Sequence, residues 1–335
     1  MITGDYPVTA AAVARQLGID GTVITGEQFG AMSDEEALAK IDGIGVIARV
    51  SPQHKVRLVD ILRRQGHIVA MTGDGVNDAP AVKKADIGIA MGTGTEVTRE
   101  AAVMVLTDDN FSTIVKAVEL GRGLYDNLAR YIRYQVSGLF GYIITFLAAA
   151  VLNVAGGEPL LPLQTLWVSF TTLSIQSVGL GYSRPAAGLM DRPPRPPSRP
   201  ILTRGLTAWL AFTGLLMAAG TLGMVSWAED AHGLAVARTM GMVTFALFSL
   251  FFSIESKDER DSAFSLGTFS DRTFAITTGA SFLLLLLSTV LGIFQTVMKT
   301  TTLDVPQWLI CTAVALSIVA AAEIRKAAKR RPSAT

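Results

Sequence analysis

An α/β domain built on a parallel sheet, followed by an all-α polytopic membrane domain, is the fold class the sequence predicts. Three observations predict it. Short apolar strands alternate with helical stretches up to about residue 110, and uncharged runs of membrane-spanning length recur from Tyr131 to Ala322. The composition sits between the two parts: 50% hydrophobic and 17% charged over 335 residues, with a mean hydropathy of +0.42. That balance is too apolar for a soluble domain of this size and too charged for a wholly intramembrane one. The expected division is therefore residues 1–110 and residues 111–335. A net charge of +1 leaves no basic stripe and argues against a nucleic-acid partner. The single cysteine, Cys311, lies in an apolar run, has no intramolecular partner for a disulfide, and reads as packing. MITGDYP has neither the basic nor the apolar region of a signal peptide, so the first segment is expected in the cytoplasm.

The first part opens with Thr3-Gly4-Asp5, then a helix in which Val8, Ala11, Ala12, Ala14, Arg15 and Leu17 form an amphipathic pattern closed by Gly18. A loop at a helix N-terminus offers free N–H groups to a phosphate, which Thr3 could contact; alternatively, Thr3 or Asp5 simply caps the helix. Residues 20–43 read as scaffold with a helix capped by Ser33 or Asp34. A buried strand follows from Ile44 to Val50, with Arg49 near its end. Pro52 starts a helix carrying Lys55 in its first turn and Val56, Leu58, Val59, Ile61 and Leu62 inward. His54 caps that helix or faces solvent.

The stretch Ile68 to Pro80 is the centre of the pattern. Ile68 to Met71 reads as a buried parallel strand, and Thr72, Gly73, Asp74 and Gly75 form the loop at its carboxyl end, where open α/β sheets bind ligands. A carboxylate there can hold Mg²⁺ while glycine lets the backbone approach a phosphate, with Asn77 and Asp78 close enough to orient Asp74. The alternative is that Asp74-Gly75 and Asn77-Asp78 are only turn dipeptides. A helix over AVKKA, a strand from Ile87 to Met91, a helix over TEVTREAA and a strand from Val103 to Leu106 complete the alternation.

TGD at 3–5, ARVSPQHK at 48–55, MTGDGVNDAPAVKKADIGIAMG at 71–92 and TDDNFSTIVKAVELGR at 107–122 closely resemble, in family order, the phosphorylation domain of P-type cation-transporting ATPases. The calcium-pump and sodium-pump branch is nearest. The resemblance implies a partial haloacid-dehalogenase-like, Rossmann-like core. It implies that Thr3, with Gly4 and Asp5, contacts an acyl phosphate, that Lys55 neutralises it, and that Asp74 binds the catalytic Mg²⁺ while Asn77 and Asp78 hold the loop. Thr72 and Gly73 would line the cofactor, and Arg49 matches a position near the hinge and nucleotide. ATP would be bound mainly by parts outside this chain. The family's nucleophile is an aspartate in an Asp-Lys-Thr-Gly-Thr run, and no such run occurs in these residues. Nor is there a nucleotide-binding domain, an actuator domain or the preceding membrane helices; Thr25-Gly26-Glu27 is a coincidence of three letters. Loss of a central strand would leave two neighbours with unpaired edges. Met1 is therefore expected to fall inside a pump's phosphorylation domain, through truncation, an upstream frameshift or a misplaced start.

From Phe111 to about Val151 a proline-free helix capped by Asp109 or Asn110 is expected, about 60 Å long and so more than one bilayer thick. Six spans are predicted: Val136–Leu152, Leu160–Leu180, Gly205–Trp227, Val236–Ile254, Phe274–Thr296 and Val305–Ala322. The loop with Arg184, Arg192, Arg195, Arg199 and Arg204 and the tail RKAAKRR are basic, which places both termini in the cytoplasm of a multi-pass cell-membrane protein. The MDRPPR loop and the six spans resemble the pumps' last six membrane helices. Cation transport calls for oxygen ligands at the midplane, yet Leu139, Tyr142 and Leu173 stand where the calcium-pump branch carries carboxylates and amides. Thr172 keeps the family residue and Ser169 replaces an amide. Gln135, Ser137, Ser169, Thr171, Thr172, Ser174 and Gln176 are the candidate ligands, against the reading that such hydroxyls bond their own helix. Glu255, ending its apolar run, is expected to snorkel to the surface.

The leading reading is the C-terminal portion of a P-type cation-transporting ATPase, incapable of turnover alone, with the membrane and a complementary N-terminal pump fragment as partners. An alternative is a catalytically silent membrane protein that docks on or regulates an intact pump. A free-standing phosphatase fits worst, because it too needs the aspartyl nucleophile.

Overall fold

The computed structural model describes residues 1–183, 188–196, 198–257 and 271–330. Arg184 and Arg331, counted above in the basic loop and tail, lie outside the described residues. The chain forms two compact units, Met1–Ala117 and Val118–Thr335.

In the first unit α1 (Pro7–Gln16) starts at a proline and stops at Gly18, whose φ of +68° turns the chain so that the Ile19 N–H donates to the Ala14 carbonyl at 2.9 Å. Its buried face is Ala10 and Ala14, packed with Val46 and Ala48, whereas Val8 and Leu17 are 83% and 65% exposed. The predicted face was rotated. Small alanines let the helix lie close to the sheet, and the larger apolar residues are left outside. Neither Thr3 nor Asp5 caps this helix; Tyr6 holds the cap position without a side-chain bond.

Within residues 20–43 the structure adds β1 (Thr22–Thr25) and α2 (Gly26–Ala31), which the scaffold reading did not resolve, ahead of α3 (Asp34–Lys40) with its Ser33 cap. There follow β2 (Ile44–Ala48), α4 (Pro52–Arg64), β3 (Ala70–Gly73), α5 (Ala79–Lys84), β4 (Ile87–Met91), α6 (Glu96–Ala101) and β5 (Met104–Leu106). His54 caps α4, accepting the Ser51 N–H on Nδ1 at 3.2 Å. Of the five apolar α4 residues predicted inward, Val59 and Ile61 are fully buried.

All strand pairs are parallel, but they form two sheets: β1–β2, to which Ile2 adds a bridge at Ile47, and β3–β4–β5 with β3 at the edge. The apolar run at 68–71 is thus not a buried strand. Pairing begins at Ala70, and Ile68 is 59% exposed because β3 has a neighbour on one side alone. Helix packing and charge join the two sheets. α4 lies against α5, and Lys55 pairs with Asp78, Arg63 with Asp86 at 3.2 Å and Lys84 with Asp60 at 3.1 Å.

Arg57 closes the other side of α4. Its guanidinium donates to the Phe29 carbonyl at 2.6 Å and the Met32 carbonyl at 2.7 Å, where α2 ends, pairs with Asp34 at 3.1 Å and lies over the Phe29 ring.

The second unit holds α7 (Phe111–Leu152), which begins within the first unit, α8 (Pro162–Val168), a π-helical stretch (Ser169–Ser174), α9 (Ile175–Gly181), α10 (Arg204–His232), α11 (Leu234–Ser256), α12 (Arg272–Val290), α13 (Gly292–Met298), α14 (Val305–Ala315) and α15 (Ser317–Arg330). α7 has 42 residues, about 63 Å, and the Asn110 side chain accepts the Ser112 N–H at its start. Among the described residues five helices are long and apolar enough to cross a membrane: α7, α10, α11, α12 and the α14–α15 stretch. The sixth predicted span, Leu160–Leu180, is helical from Pro162 to Gly181 but divided by the π segment. The span predicted at Phe274–Thr296 likewise breaks at Leu291.

α11 is the buried centre, with Met240, Val243, Phe245 and Phe248 in the core. At Gly214 of α10 a Cβ would fall 2.8 Å from the Gly141 nitrogen of α7, so these helices cross at a separation that only a missing side chain allows. Glu255 does not snorkel. Its side chain is 1% exposed and lies 2.7 Å from the Lys326 Nζ of α15, which meets the carboxylate inside the bundle and removes the need to reach water.

Replacing Arg57 by Leu leaves two helix-end carbonyls without their donor and is expected to lower local stability by about 1–3 kcal/mol. Amide exchange across α2 and α4 in the full chain should accelerate accordingly; unchanged exchange would contradict the role. The Arg57 and Arg64 guanidiniums also hold the Asp34 carboxyl below its ordinary range. Their contribution is complete above the unfolded carboxylate pKa and disappears as pH falls through the lower folded value, so the same amides should open on strong acidification.

Candidate functional site

The predicted residues of the first unit gather around the carboxyl ends of β2 and β3. Thr3 is fixed beside β2: its N–H donates to the Ile47 carbonyl at 3.0 Å, and its carbonyl accepts the Val50 N–H at 3.3 Å. The Thr3 hydroxyl donates to Asp5 Oδ2 at 2.9 Å and accepts the Asp5 N–H at 3.2 Å, a closed turn around Gly4. Asp5 in turn accepts the Arg49 N–H on its carbonyl at 3.1 Å. Arg49 adopts a left-handed φ of 52° and stacks its guanidinium over Tyr6 at 4.7 Å, so this exposed side chain is turned toward the TGD loop.

Lys55 stands one turn into α4, and its ammonium pairs with the Asp78 carboxylate, both side chains largely buried at 17% and 11% exposure. The other Asp78 oxygen faces the Gly75 N–H at 3.5 Å, and the Asp78 N–H donates to the Gly75 carbonyl at 2.8 Å. Asp78 thus folds the loop onto α4. Gly73 serves this fold: a Cβ there would sit 2.4 Å from the Asp78 Cβ, so any side chain would push Asp78 away. Thr72 and Gly73 lie in β3 itself rather than in the loop.

Asp74 follows directly, exposed, and no hydrogen bond to its carboxylate forms among the described residues. Its backbone is fixed by residues that sequence reasoning missed. The Thr95 N–H donates to the Asp74 carbonyl at 2.8 Å, and the Thr98 hydroxyl, fully buried, donates to the Gly75 carbonyl at 2.8 Å. The signal was the Gly94-Thr95 entry to the TEVTREAA helix, which places a hydroxyl and a free N–H at the start of α6. Asn77 is exposed at the loop tip. An unengaged carboxylate on a rigid loop, beside a lysine held by a second carboxylate, can ligate a hard divalent cation. Among the described residues no group of three or more His, Cys, Asp or Glu converges, so Asp74 would complete its shell with water or phosphate oxygens.

In the second unit Ser137, Ser169, Thr171, Thr172 and Gln176 are engaged within their own helices or across to a neighbouring one. The Ser169 hydroxyl donates to the Thr165 carbonyl at 2.9 Å, Thr171 to Trp167 at 2.7 Å and Thr172 to Val168 at 2.6 Å. Ser137 shares a hydrogen with Thr213 at 2.8 Å, and Gln176 bonds Ser281, Ser253 and Thr278. Leu173 fills the space over Gly138, and Tyr142 stacks on Phe245 at 4.2 Å. Leu139 is 57% exposed.

Lys55→Met should free Asp78 and loosen residues 74–78 by about 1.5–3 kcal/mol, with faster exchange of the Gly75 and Asp78 amides. Exchange at the wild-type rate would show that the ion pair does not hold the loop.

Comparison with known proteins assigns both parts of the chain to families. The family described as "Cation transporting ATPase, C-terminus" matches residues 157–328, and haloacid dehalogenase-like hydrolase families match residues 1–86 and 57–118. A probable cation-transporting ATPase F of Mycobacterium tuberculosis is 39% identical over 327 residues, covering 95% of this chain and 36% of that protein. A calcium-transporting ATPase of Bacillus subtilis is 42% identical over 226 residues, 66% of this chain and 25% of that protein. An endoplasmic reticulum calcium ATPase of Aspergillus fumigatus is 43% identical over 239 residues, 68% of this chain and 24% of that protein. The chain thus spans about a third or less of the relatives it matches. With a haloacid-dehalogenase-like unit ahead of apolar helices that fit the C-terminal family, it belongs to the P-type cation-transporting ATPases and corresponds to their C-terminal part.

Proposed function

We propose that the chain supplies the Mg²⁺- and phosphate-contacting loop and the last membrane helices of an ATP-driven cation pump, and that the aspartyl nucleophile comes from outside these 335 residues. The unengaged Asp74 carboxylate at the end of β3, with the Lys55–Asp78 pair beside it, carries this reading. Mg²⁺ bound by Asp74 would neutralise charge on the transferring phosphoryl oxygens. Thr3 positions the TGD turn, Lys55 adds a cation next to the phosphate site, and the hydroxyls of Thr95 and Thr98 keep the loop from moving as charge changes.

The free edges support an outside strand. Ile2 pairs with β2 on one side and β3 with β4 on one side, which leaves each sheet an edge able to take a parallel strand that ends at the site. The partner is then a complementary N-terminal pump segment. The basic loop and tail support an orientation with both termini in the cytoplasm and the helices in the cell membrane. In the helices a cation would meet hydroxyl and carbonyl oxygens around Ser169 and Thr172, because π-helical turns alter the carbonyl pairing there and recur at functional sites.

Incubated alone with radiolabelled ATP and Mg²⁺, the chain is expected to form no hydroxylamine-sensitive acyl phosphate. Co-expressed with an N-terminal pump segment that carries an Asp-Lys-Thr-Gly-Thr strand, it should support such a phosphoenzyme, and Asp74→Ala should abolish it. Labelling of the chain alone would overturn the proposal. Co-purification with an intact pump, and no labelling with the segment, would favour the regulatory role.

A further inference from the structure

His54 and Gly26 touch the candidate site without belonging to it. The imidazole of His54, in the first turn of α4, lies against α2 over Gly26 and Gly30, which are four residues apart and so share one face of that helix. A Cβ at Gly26 would fall 2.5 Å from His54 Nδ1 and 2.7 Å from the Arg49 carbonyl oxygen, and one at Gly30 would fall 3.1 Å from His54 Nε2. The two glycines therefore leave a slot that the flat ring fills. Phe29 closes it edge-on, with 6.5 Å between ring centroids. The Arg57 guanidinium in turn covers the Phe29 ring and donates to the Phe29 carbonyl at 2.6 Å.

Within the slot, Nδ1 accepts the Ser51 N–H at 3.2 Å, and this hydrogen bond assigns the ring proton to Nε2. Ser51 is the residue at which the chain turns from β2 into α4. Its carbonyl accepts the His54 N–H at 3.1 Å and the Lys55 N–H at 3.3 Å. Arg49, with its left-handed φ of 52°, stands at one end of this turn, and Lys55 at the other. A single side chain thus ties the turn both to itself, through the Ser51 amide, and to α2, through the glycine slot. We propose that His54 is a positioning residue, which acts through these two contacts to aim the Lys55 ammonium at Asp78. Its part in phosphoryl transfer rests on the function proposed above; the placement of Lys55 does not.

Acylation of Lys55 in the full chain by a water-soluble succinimidyl ester, read by mass spectrometry against the exposed Lys83, measures that placement. His54→Phe keeps a flat ring but offers Ser51 no acceptor, and should speed Lys55 acylation about tenfold. His54→Gln restores an acceptor at the third helical position and should return the rate to within about twofold of wild type. Lys84, paired with Asp60 farther along α4, should react at the same rate in all three chains. An unchanged Lys55 rate in His54→Phe, equal acceleration of Lys84, or no recovery in His54→Gln would each overturn the positioning role. Should His54→Phe not fold, the imidazole nitrogen resonances of the wild-type chain decide: a proton on Nε2 alone supports the role, and a proton on Nδ1 overturns it. If the lysines respond as expected but the wild-type chain forms no phosphoenzyme with an Asp-Lys-Thr-Gly-Thr segment, the proposed function fails while the positioning of Lys55 stands.

Discussion

The ion pair between Lys55 and Asp78 is the contact on which the first unit depends. Two small parallel sheets share no backbone pairing, so their alignment rests on α4 against α5 and on the charges between these helices. Lys55–Asp78 is the most buried of the three pairs, and it ends at the loop that presents Asp74. A partly dehydrated pair gains more from its attraction than the exposed Arg63–Asp86 and Lys84–Asp60 pairs do. One interaction therefore serves both the fold and the placement of Asp74, since whatever displaces Asp78 also moves Gly75 and the backbone under Asp74.

Much of this was legible in the sequence because the signals were local. Pro52 began a helix, Ser33 capped another, Gly18 ended a third, and Ile87 to Met91 became β4 with the bounds expected. Nonlocal facts were harder to read. Ile68 to Met71 looks like a buried strand in any window, and whether a second neighbour exists to bury it is not a property of the window. Val8 and Leu17 looked like the inward face of α1 until the small face of Ala10 and Ala14 met the sheet. Thr95 and Thr98 escaped notice because their partners lie about twenty residues away in β3's loop, and hydroxyls in a short helix read as caps.

The helical unit shows the same division. Spans were visible from hydropathy, but the π segment at Ser169–Ser174 and the break at Leu291 were not, since neither contains a proline or a charge. Glu255 was misread for lack of its partner: Lys326 lies far along the chain and reaches the carboxylate only once α15 packs on α11. Ser169, Thr171, Thr172 and Gln176 inside this unit bond their own helices or a neighbouring one, whereas the Thr221 hydroxyl and the Trp167 N–H are buried without a hydrogen-bond partner among the described residues. Leu173 packs over Gly138 and Tyr142 on Phe245 in the interior.

On the proposed function, the chain is a receiver: Asp74 follows the edge strand β3, whose open side would take a strand from a complementary segment. Hydrogen exchange at Met71, Thr72 and Gly73, with and without a segment carrying an Asp-Lys-Thr-Gly-Thr strand, tests this most directly. The account predicts that the amides of β3 on its open side, together with those at Ile2 and Thr3, become strongly protected when the segment is present. Unaltered exchange at both edges, with the segment shown to be bound, would contradict it.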